Sequence, residues 1–273
     1  MATPPSLLVF GAHPDDCELT AGGLAALYAA RGGRVRFVSL TNGDAGHHSL
    51  AGAVLARRRR QEAHDAAAVL GVESQVLDNH DGELLPTLDR RREVIGIIRE
   101  FGPDLVLTPR PNDYHPDHRY TSTLVQDAAY MVTVPNVRAH VEHLRRDPVI
   151  MYVTDRFQKP YPFSPDVVVD IDAVIEPKIA AMAQHVSQFF EWLPYNGDYA
   201  AQVPQEQAAR LAWFTEHGQT RLRADADRFR ALLIARYGQQ RGAAVVHAEA
   251  FEACEYGAPL SDESRDRLFP AGL

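Results

Sequence analysis

Residues 7–19 read LLVFGAHPDDCEL, in which an apolar run passes through a glycine into a cluster of one histidine and several acidic residues. Residues 7–10 are bounded by prolines before them and by Gly11 after them, which predicts a buried strand. Over residues 18–31 the apolar side chains recur at helical spacing, and two glycines at 32 and 33 end the predicted helix. This stretch therefore predicts a strand, a tight polar turn and a helix.

The same alternation of strand and helix continues along the chain. Further strands are predicted at residues 35–40, 104–108, 149–153 and 166–171, and further helices at residues 54–70, 87–101, 117–131, 173–190 and 220–237. Strands that alternate with helices favour a parallel sheet with right-handed crossovers. We therefore predict a single α/β domain over residues 1–273. Its core, residues 1–172, is a Rossmann-like, mostly parallel sheet flanked by helices, and residues 173–273 form a mainly helical C-terminal elaboration.

Composition excludes several classes of protein. The 273 residues carry a formal net charge of −8, so the chain lacks the basic surface of a nucleic-acid binder, apart from the arginine run at residues 57–60. Two cysteines cannot supply a disulfide framework. No signal peptide and no apolar stretch of about 18 residues is visible, so no membrane span is predicted. We expect a cytoplasmic protein that binds a small molecule and no nucleic acid; a homo-oligomer is compatible with the sequence.

Polar residues gather where the predicted strands end. The segments that follow four strands are residues 11–16, 41–44, 77–82 and 108–118, and all four are rich in His, Asp and Asn. Ligands of parallel sheets bind at the carboxyl ends of the strands. The sequence therefore predicts one site built from these four segments.

The first strand-to-helix turn carries His13, Asp15, Asp16 and Glu18 in place of the glycine fingerprint of dinucleotide-binding folds. Zinc favours imidazole and carboxylate ligands, and catalytic sites hold it with three protein ligands and a water. His13 and Asp16 could bind one metal, while Asp15 takes a proton from the bound water. Alternatively, an Asp at this position caps the helix, which explains one carboxylate but not His13. On this motif alone both interpretations stay open.

The second motif is residues 110–118, RPNDYHPDH. Pro116 restricts His115 to an extended backbone, so the rings of His115 and His118 can point in different directions. Rings that point in different directions can have different roles, one as a metal ligand and the other as a free acid. Asp117 could orient a ring as an outer partner. The alternative is a surface turn with incidental histidines, because the chain contains 12 of them.

The two motifs together carry more weight than either alone. Two histidines and one carboxylate form a common zinc site, and the same set also suits non-haem iron(II). The pattern AHPDD at residues 12–16 with HPDH at residues 115–118 resembles the LmbE-like or PIG-L family of zinc-dependent N-deacetylases. The resemblance is clear over residues 7–118 and continues weakly to about residue 251.

The resemblance implies a role for each residue of the two motifs. It implies three zinc ligands, His13, Asp16 and His118. It implies Asp15 as the general base, and His115 as the general acid or oxyanion stabiliser, tuned by Asp117.

Three further residues are candidates for contact with substrate. The family has an arginine and a glutamate three apart early in its second helix, and Arg59 with Glu62 fits that pattern. Asp81 matches a loop of the family, and His185 on the helix predicted at residues 173–190 is expected to line the substrate pocket.

The expected activity is metal-dependent hydrolysis of the acetyl amide of an N-acetylated amino sugar or its conjugate, which releases acetate and a free amine. The kind of sugar comes from the resemblance alone. Two alternatives are an amidase of thiol–sugar conjugates and a protein that binds a metal without turnover. The presence of both Asp15 and His115 favours an enzyme.

Overall fold

The computed structural model of the chain describes residues 4–218 and 220–269, so the ends of the predicted domain, residues 1–3 and 270–273, lie outside the described residues. The strands are β1 (Leu7–Gly11), β2 (Val35–Ser39), β3 (Glu73–Val76), β4 (Leu105–Thr108), β5 (Val149–Val153), β6 (Val167–Asp170) and β7 (Ala248–Ala253). The α-helices are α1 (Asp16–Ala30), α2 (Gly52–Leu70), α3 (Leu88–Phe101), α4 (Pro116–Ala129), α5 (Ile175–Met182), α6 (Leu193–Asn196), α7 (Gln207–Gly218), α8 (Thr220–Arg228), α9 (Arg230–Tyr237), α10 (Gln239–Ala244) and α11 (Asp262–Leu268).

The described strands form one sheet in the order β3-β2-β1-β4-β5-β7-β6. Strands β3, β2, β1, β4 and β5 are mutually parallel. The predicted fold, a mostly parallel α/β sheet flanked by helices, is confirmed. Strands β2 and β3 extend the sheet on one side of β1. The chain then crosses to the other side of β1, where β4 and β5 lie. Open parallel sheets bind ligands at such a reversal of strand order, beyond the carboxyl ends of the strands.

The C-terminal part of the chain contributes to the sheet itself. Strand β7 lies between β5 and β6 and pairs antiparallel with both. The sheet therefore does not end with the predicted core at residue 172, because an inner strand comes from the segment predicted to be mainly helical. The two pairings join residues that are far apart in sequence, from Asp170 with Ala248 to Met151 with Ala253, which local sequence patterns do not reveal.

Alternate side chains of β1 pack on opposite faces of the sheet. Leu7 and Val9 belong to the apolar cluster that includes residues of α1 and α2, whereas Leu8 and Phe10 belong to the cluster of α3 and α4. All four side chains are at most 1% exposed. Burial of each contributes roughly 1.5–3 kcal/mol. These contacts on both faces fix β1, and with it the turn that follows.

The helix predicted at residues 173–190 is interrupted in the structure. A short 3₁₀ turn precedes α5, and after a break at residues 183–185 the chain continues as a π-helix at Ser187–Trp192. The helix predicted at residues 220–237 is likewise divided into α8 and α9 at Phe229. Among the described residues, no helix has the length and apolar character needed to cross a membrane.

Candidate active site

The turn between β1 and α1 is tight and strained. A Cβ on Gly11 would lie 2.7 Å from the Asp16 Cβ, so only glycine fits. Asp15 has φ 137°, a conformation that is rare outside glycine and that clusters at functional sites. Asp16 Oδ2 accepts hydrogen bonds from the backbone N–H groups of Ala12 (2.9 Å) and His13 (2.8 Å). Asp15 occupies the N-cap position without a side-chain cap hydrogen bond, so capping does not explain these carboxylates.

Three potential ligand atoms meet where β1 and β4 end. His13 Nδ1 lies 3.6 Å from Asp16 Oδ2, His118 Nε2 lies 3.5 Å from the same oxygen, and the two nitrogens are 3.3 Å apart. Ligands at about 2.0–2.2 Å from a tetrahedral zinc lie about 3.3–3.6 Å from one another. The triangle therefore has the dimensions of a site that could hold a metal ion.

The other ring nitrogens of the two histidines face carboxylates. His13 Nε2 is 3.0 Å from Asp81 Oδ1 and 3.3 Å from Asp117 Oδ2, and His118 Nδ1 is 3.1 Å from Asp113 Oδ1. Metal-binding histidines almost always place their second nitrogen on such a partner, which fixes the tautomer. The inner nitrogens, His13 Nδ1 and His118 Nε2, lie 3.3 Å apart, and both would have to be deprotonated to bind a cation.

The surrounding charge favours a cation at this position. Burial opposes a charge on His13, but the carboxylates of Asp117, Asp16 and Asp81 outweigh it and raise its pKa well above the usual value. Burial also opposes a charge on His118, yet Asp16 and Asp113 raise its pKa. Burial disfavours ionised Asp16, but His118 and His13 hold its pKa far below the usual value. The donor set and its charge both fit a divalent metal.

Asp15 lies beside this cluster and is held by Arg59. Arg59 Nη2 donates to Asp15 Oδ1 at 3.0 Å and to the backbone oxygen of Pro14 at 2.8 Å. Burial raises the pKa of Asp15 to about 6; the positive charge of Arg59 opposes the shift, and the charge of Asp16 adds to it. Arg59 is predicted to contact substrate; it lies at the wall of the cavity over this cluster, although its guanidinium is almost fully buried against protein oxygens. Its shortest side-chain ion pair in the structure is with Asp15.

His115 is the N-cap of α4. Its Nδ1 accepts a hydrogen bond from the Asp117 backbone N–H at 3.2 Å, so the neutral ring carries its proton on Nε2. Burial lowers the pKa of His115, and the nearby rings of His13 and His118 lower it further. One ring nitrogen from each of His13, His115 and His118 lies within 4.8 Å of the other two.

Asp117 contacts His115 through its backbone rather than through its carboxylate. The carboxylate is fully buried and accepts the N–H groups of Gly82 (2.7 Å) and Leu84 (3.2 Å) while it faces His13. The negative charge of Asp117 nevertheless raises the pKa of His115, against the larger effects of burial and of the neighbouring histidines, and the same carboxylate also faces His13. Asp81, predicted to bind substrate, also faces His13.

A cavity of about 970 Å³ opens over this cluster. His185 does not line it, which corrects the expectation from the sequence. Because α5 ends at Met182, the following turn buries His185 completely, with Nε2 3.4 Å from Glu18 Oε1 of α1. Gln188 and Phe189 of the π-helix form that part of the wall instead.

Two carboxylates at the site carry no role predicted from the sequence. Asp113 faces His118, and Asp155, two residues beyond the end of β5, lines the cavity. Asp155 follows a predicted strand, so the rule that strand ends carry ligand-binding residues could have found it. Asp113 lies in the predicted strand-end segment 108–118, but its contact with His118 depends on how the loop before α4 folds.

Comparison with known proteins identifies the family. The sequence profile of the PIG-L family, described as GlcNAc-PI de-N-acetylase, matches residues 8–129. A protein named diacetylchitobiose deacetylase, from Thermococcus kodakarensis, is 34% identical over 194 residues, which cover 67% of this chain and 72% of that protein. The chain belongs to the PIG-L family. The resemblance predicted from the two motifs is thereby confirmed.

The PIG-L fold is shared beyond that relative. The solved structure of an N,N′-diacetylchitobiose deacetylase from Pyrococcus horikoshii has a TM-score of 0.70 and 25% identity, over 92% of this chain and 84% of that one. A protein named 4-oxalmesaconate hydratase, from Pseudomonas putida, is 28% identical over 205 residues, 72% of this chain and 79% of that protein. Since relatives include a hydratase, membership of the family does not by itself decide the reaction.

Proposed function

We propose that this PIG-L protein is a metal-dependent N-deacetylase that acts on an N-acetylated amino sugar or a conjugate of one. The observation that carries the proposal is the triangle of His13 Nδ1, Asp16 Oδ2 and His118 Nε2, with sides of 3.3–3.6 Å, beside the carboxylate of Asp15. The deacetylase relatives support the choice of an acetyl amide as substrate.

His13, Asp16 and His118 are the residues that would hold the cation, and we propose zinc, with iron(II) as the alternative for the same donor set. A divalent cation at such a site polarises the substrate carbonyl and lowers the pKa of water. Asp81, Asp117 and Asp113 hold the two histidine rings in the orientation that this requires.

Asp15 acts as the base in this proposal. Its carboxylate takes a proton from the water that adds to the amide carbon, and then gives that proton to the nitrogen as the C–N bond breaks. The products are acetate and the free amine, so no other reactant is needed. A pKa raised to about 6 by burial lets the ionised carboxylate dominate near pH 7 and still bind a proton readily.

His115 stabilises charge on the amide oxygen. With Nδ1 accepting from the Asp117 N–H, the ring offers Nε2–H as a donor without being charged. Such a donor, fixed before the reaction, stabilises negative charge as it develops. Of the two roles that the family resemblance implies, this hydrogen-bond geometry supports the oxyanion stabiliser over the general acid.

Acetate release over a panel of N-acetylated amino sugars and their glycosides tests the proposal. The protein is stripped with a chelator, assayed, and assayed again after stoichiometric zinc or iron(II) is restored. We expect release of acetate and amine in equal amounts, and only with metal. Turnover of no amide, together with metal-dependent addition of water to an unsaturated dicarboxylate, would overturn the proposal in favour of a hydratase.

A further inference from the structure

Gln188 is a buried polar residue on the wall of the cavity over the candidate metal cluster, and the proposed mechanism gives it no role. It is the second residue of the π-helix Ser187–Trp192. Turns of π-helix are rare and lie frequently at functional sites. Because Gln188 is only 3% exposed, its amide nitrogen and amide oxygen each need a partner, from the protein or from a molecule in the cavity.

The amide nitrogen of Gln188 is fully used within the protein. Nε2 donates to the backbone oxygen of Gly46 at 3.0 Å and to Ser187 Oγ at 3.2 Å. A backbone oxygen can only accept, and Ser187 donates its one hydroxyl proton to Glu62 Oε2 at 2.5 Å. Both neighbours therefore require a donor, and this places the NH₂ group of the amide toward them and its oxygen away from them.

The amide oxygen of Gln188 is left without a protein partner. Oε1 accepts no hydrogen bond from the residues that the structure describes, and it is not one of the unpaired side-chain atoms that are sealed from solvent. Because Gln188 lines the cavity, a bound molecule can reach this oxygen. A molecule that displaces water from such an acceptor loses affinity unless it supplies a donor of its own.

Gly46 places this acceptor beside the groups that perform the proposed reaction. It packs so closely that an added Cβ would lie 2.7 Å from Arg59 Nη1 and 3.0 Å from Asp81 Oδ2. Arg59 in turn contacts Asp15, and Asp81 contacts His13. The amide that donates to Gly46 thus lies at the end of the cavity where the acetyl group would react.

The π-helix that carries Gln188 is held to α2 by charged groups. Glu62 Oε1 accepts the Ser187 N–H at 3.0 Å and Arg58 Nε at 3.0 Å. Arg58 also binds both carboxylate oxygens of Glu191, at 2.7 Å and 2.6 Å. These bonds fix the backbone on both sides of Gln188, so its oxygen is positioned before a ligand arrives. Such preorganisation reduces the entropy that binding costs.

We propose that Gln188 Oε1 accepts a hydrogen bond from the N–H of the substrate's acetamido group and thereby selects amides over esters. The inference rests on the proposed function and deepens it. In that function the carbonyl oxygen is stabilised by His115, so the N–H is the polar group of the amide that still lacks a partner. A carboxamide oxygen accepts this N–H without taking its proton. An ester lacks the donor and leaves the acceptor unpaired, which disfavours its binding.

The test compares kcat/KM for an N-acetylated amino sugar with kcat/KM for the analogue in which an ester oxygen replaces the N–H. Gln188→Met keeps an unbranched side chain but removes the amide oxygen. It is expected to lower the amide-to-ester ratio about two- to tenfold, the range of one neutral hydrogen bond. Loss of the contacts with Gly46 and Ser187 affects both substrates alike and cancels in the ratio. If the ester binds without turnover, its competitive inhibition constant replaces its kcat/KM.

Gln184→Met is the matched control, because it makes the same change at a glutamine that does not line the cavity and should leave the ratio unchanged. Gln188→Leu repeats the test if thermal unfolding shows that Gln188→Met does not fold. An unchanged ratio in the folded variant, or an equal fall in Gln184→Met, would overturn the role of Gln188 while leaving the deacetylase proposal intact.

Two further outcomes would also count against the proposal. A loss shared by amide and ester that disappears for a sugar without the hydroxyl next to the acetamido group would assign the contact to that hydroxyl and overturn the choice of the N–H. No turnover of any amide by the wild type would overturn the proposed function and, with it, the role of Gln188.

Discussion

At the scale of single residues, each histidine of the candidate metal cluster has one nitrogen directed inward and the other against a carboxylate. His118→Ala removes an inward nitrogen, and we expect the chain to lose bound metal while it stays folded. Metal content after exposure to zinc, measured by mass spectrometry, should fall from about one per chain to well below that. His140→Ala, a change at an exposed histidine, is the control. Unchanged occupancy in His118→Ala would remove His118 from the ligand set.

The raised pKa of Asp15 predicts that activity depends on pH. Its pKa is raised to about 6, chiefly by burial, so acidification through that value protonates the base. A bound cation beside Asp15 favours the ionised form, and therefore kcat/KM should be maintained near pH 7 and decline at or below about pH 6. A pH–rate profile of the metal-loaded protein checks this. An acidic limb centred above pH 7 would contradict the role of Asp15.

At the scale of elements, the junction of β1 and α1 determines where Asp16 lies. Gly11→Ala places a Cβ 2.7 Å from the Asp16 Cβ and 3.1 Å from the Cys17 Sγ, so the strand and the helix must separate. We expect a loss of about 1–3 kcal/mol in the free energy of unfolding, together with weaker metal binding. Urea denaturation and a zinc titration measure the two effects.

Gly22→Ala is the control for this junction. Its added Cβ would meet Lys178 Cγ at an ordinary 3.4 Å, and alanine is a better helix former than glycine inside α1. Stability should therefore hold or rise. Equal losses in the two variants would show that the close approach at Gly11 has no special role.

Elements with a strong local pattern were predictable from sequence. Strand β5 has the predicted bounds. Helices α2 and α3 end at the predicted residue and begin two residues and one residue away from the predicted start, and α4 differs by one residue at its start and two at its end. The break after α5 was not predictable, because the apolar residues on both sides of it keep helical spacing, and the contact of His185 with Glu18 of α1 joins residues far apart in sequence. Strand β7 was missed because its pairing with β5 and β6 is set by contacts far apart in sequence.

For the candidate site, the sequence predicted which residues come together but not the contacts that orient their side chains. His13, Asp16 and His118 converge because they follow β1 and β4, which are neighbours in the sheet. The carboxylates that face the histidine rings were not predictable. That Asp81 and Asp117 both face His13, and that His185 faces Glu18, depends on side-chain directions in loops and turns. Local patterns carry no record of those directions.

At the scale of the whole molecule, a buried ion pair links the N-terminal and C-terminal parts of the fold. Lys178 of α5 and Glu249 of β7 are at most 1% exposed and form a salt bridge, while Glu249 accepts the N–H groups of Gly23 and Leu24 in α1. Lys178→Met leaves a buried carboxylate without its cation. We expect a loss of about 3–5 kcal/mol in the free energy of unfolding.

Chemical denaturation measures this loss, with Arg92→Met as the control. Arg92 pairs with Asp89 on an exposed face of α3, and removing such a pair costs about 0–1 kcal/mol. If Lys178→Met were no more destabilising than Arg92→Met, the buried pair would not be what joins α1, α5 and β7.

The proposed mechanism depends on different roles for two neighbouring residues, with Asp15 as the base and Asp16 as a metal ligand. Asp15→Asn keeps the size of the side chain and the contact with Arg59 but removes the base. Acetate release and metal content are measured on the same zinc-loaded sample. We predict metal content equal to that of the wild type, with kcat lowered by about 10²–10⁴. Wild-type turnover by Asp15→Asn, or loss of its metal, would contradict the account.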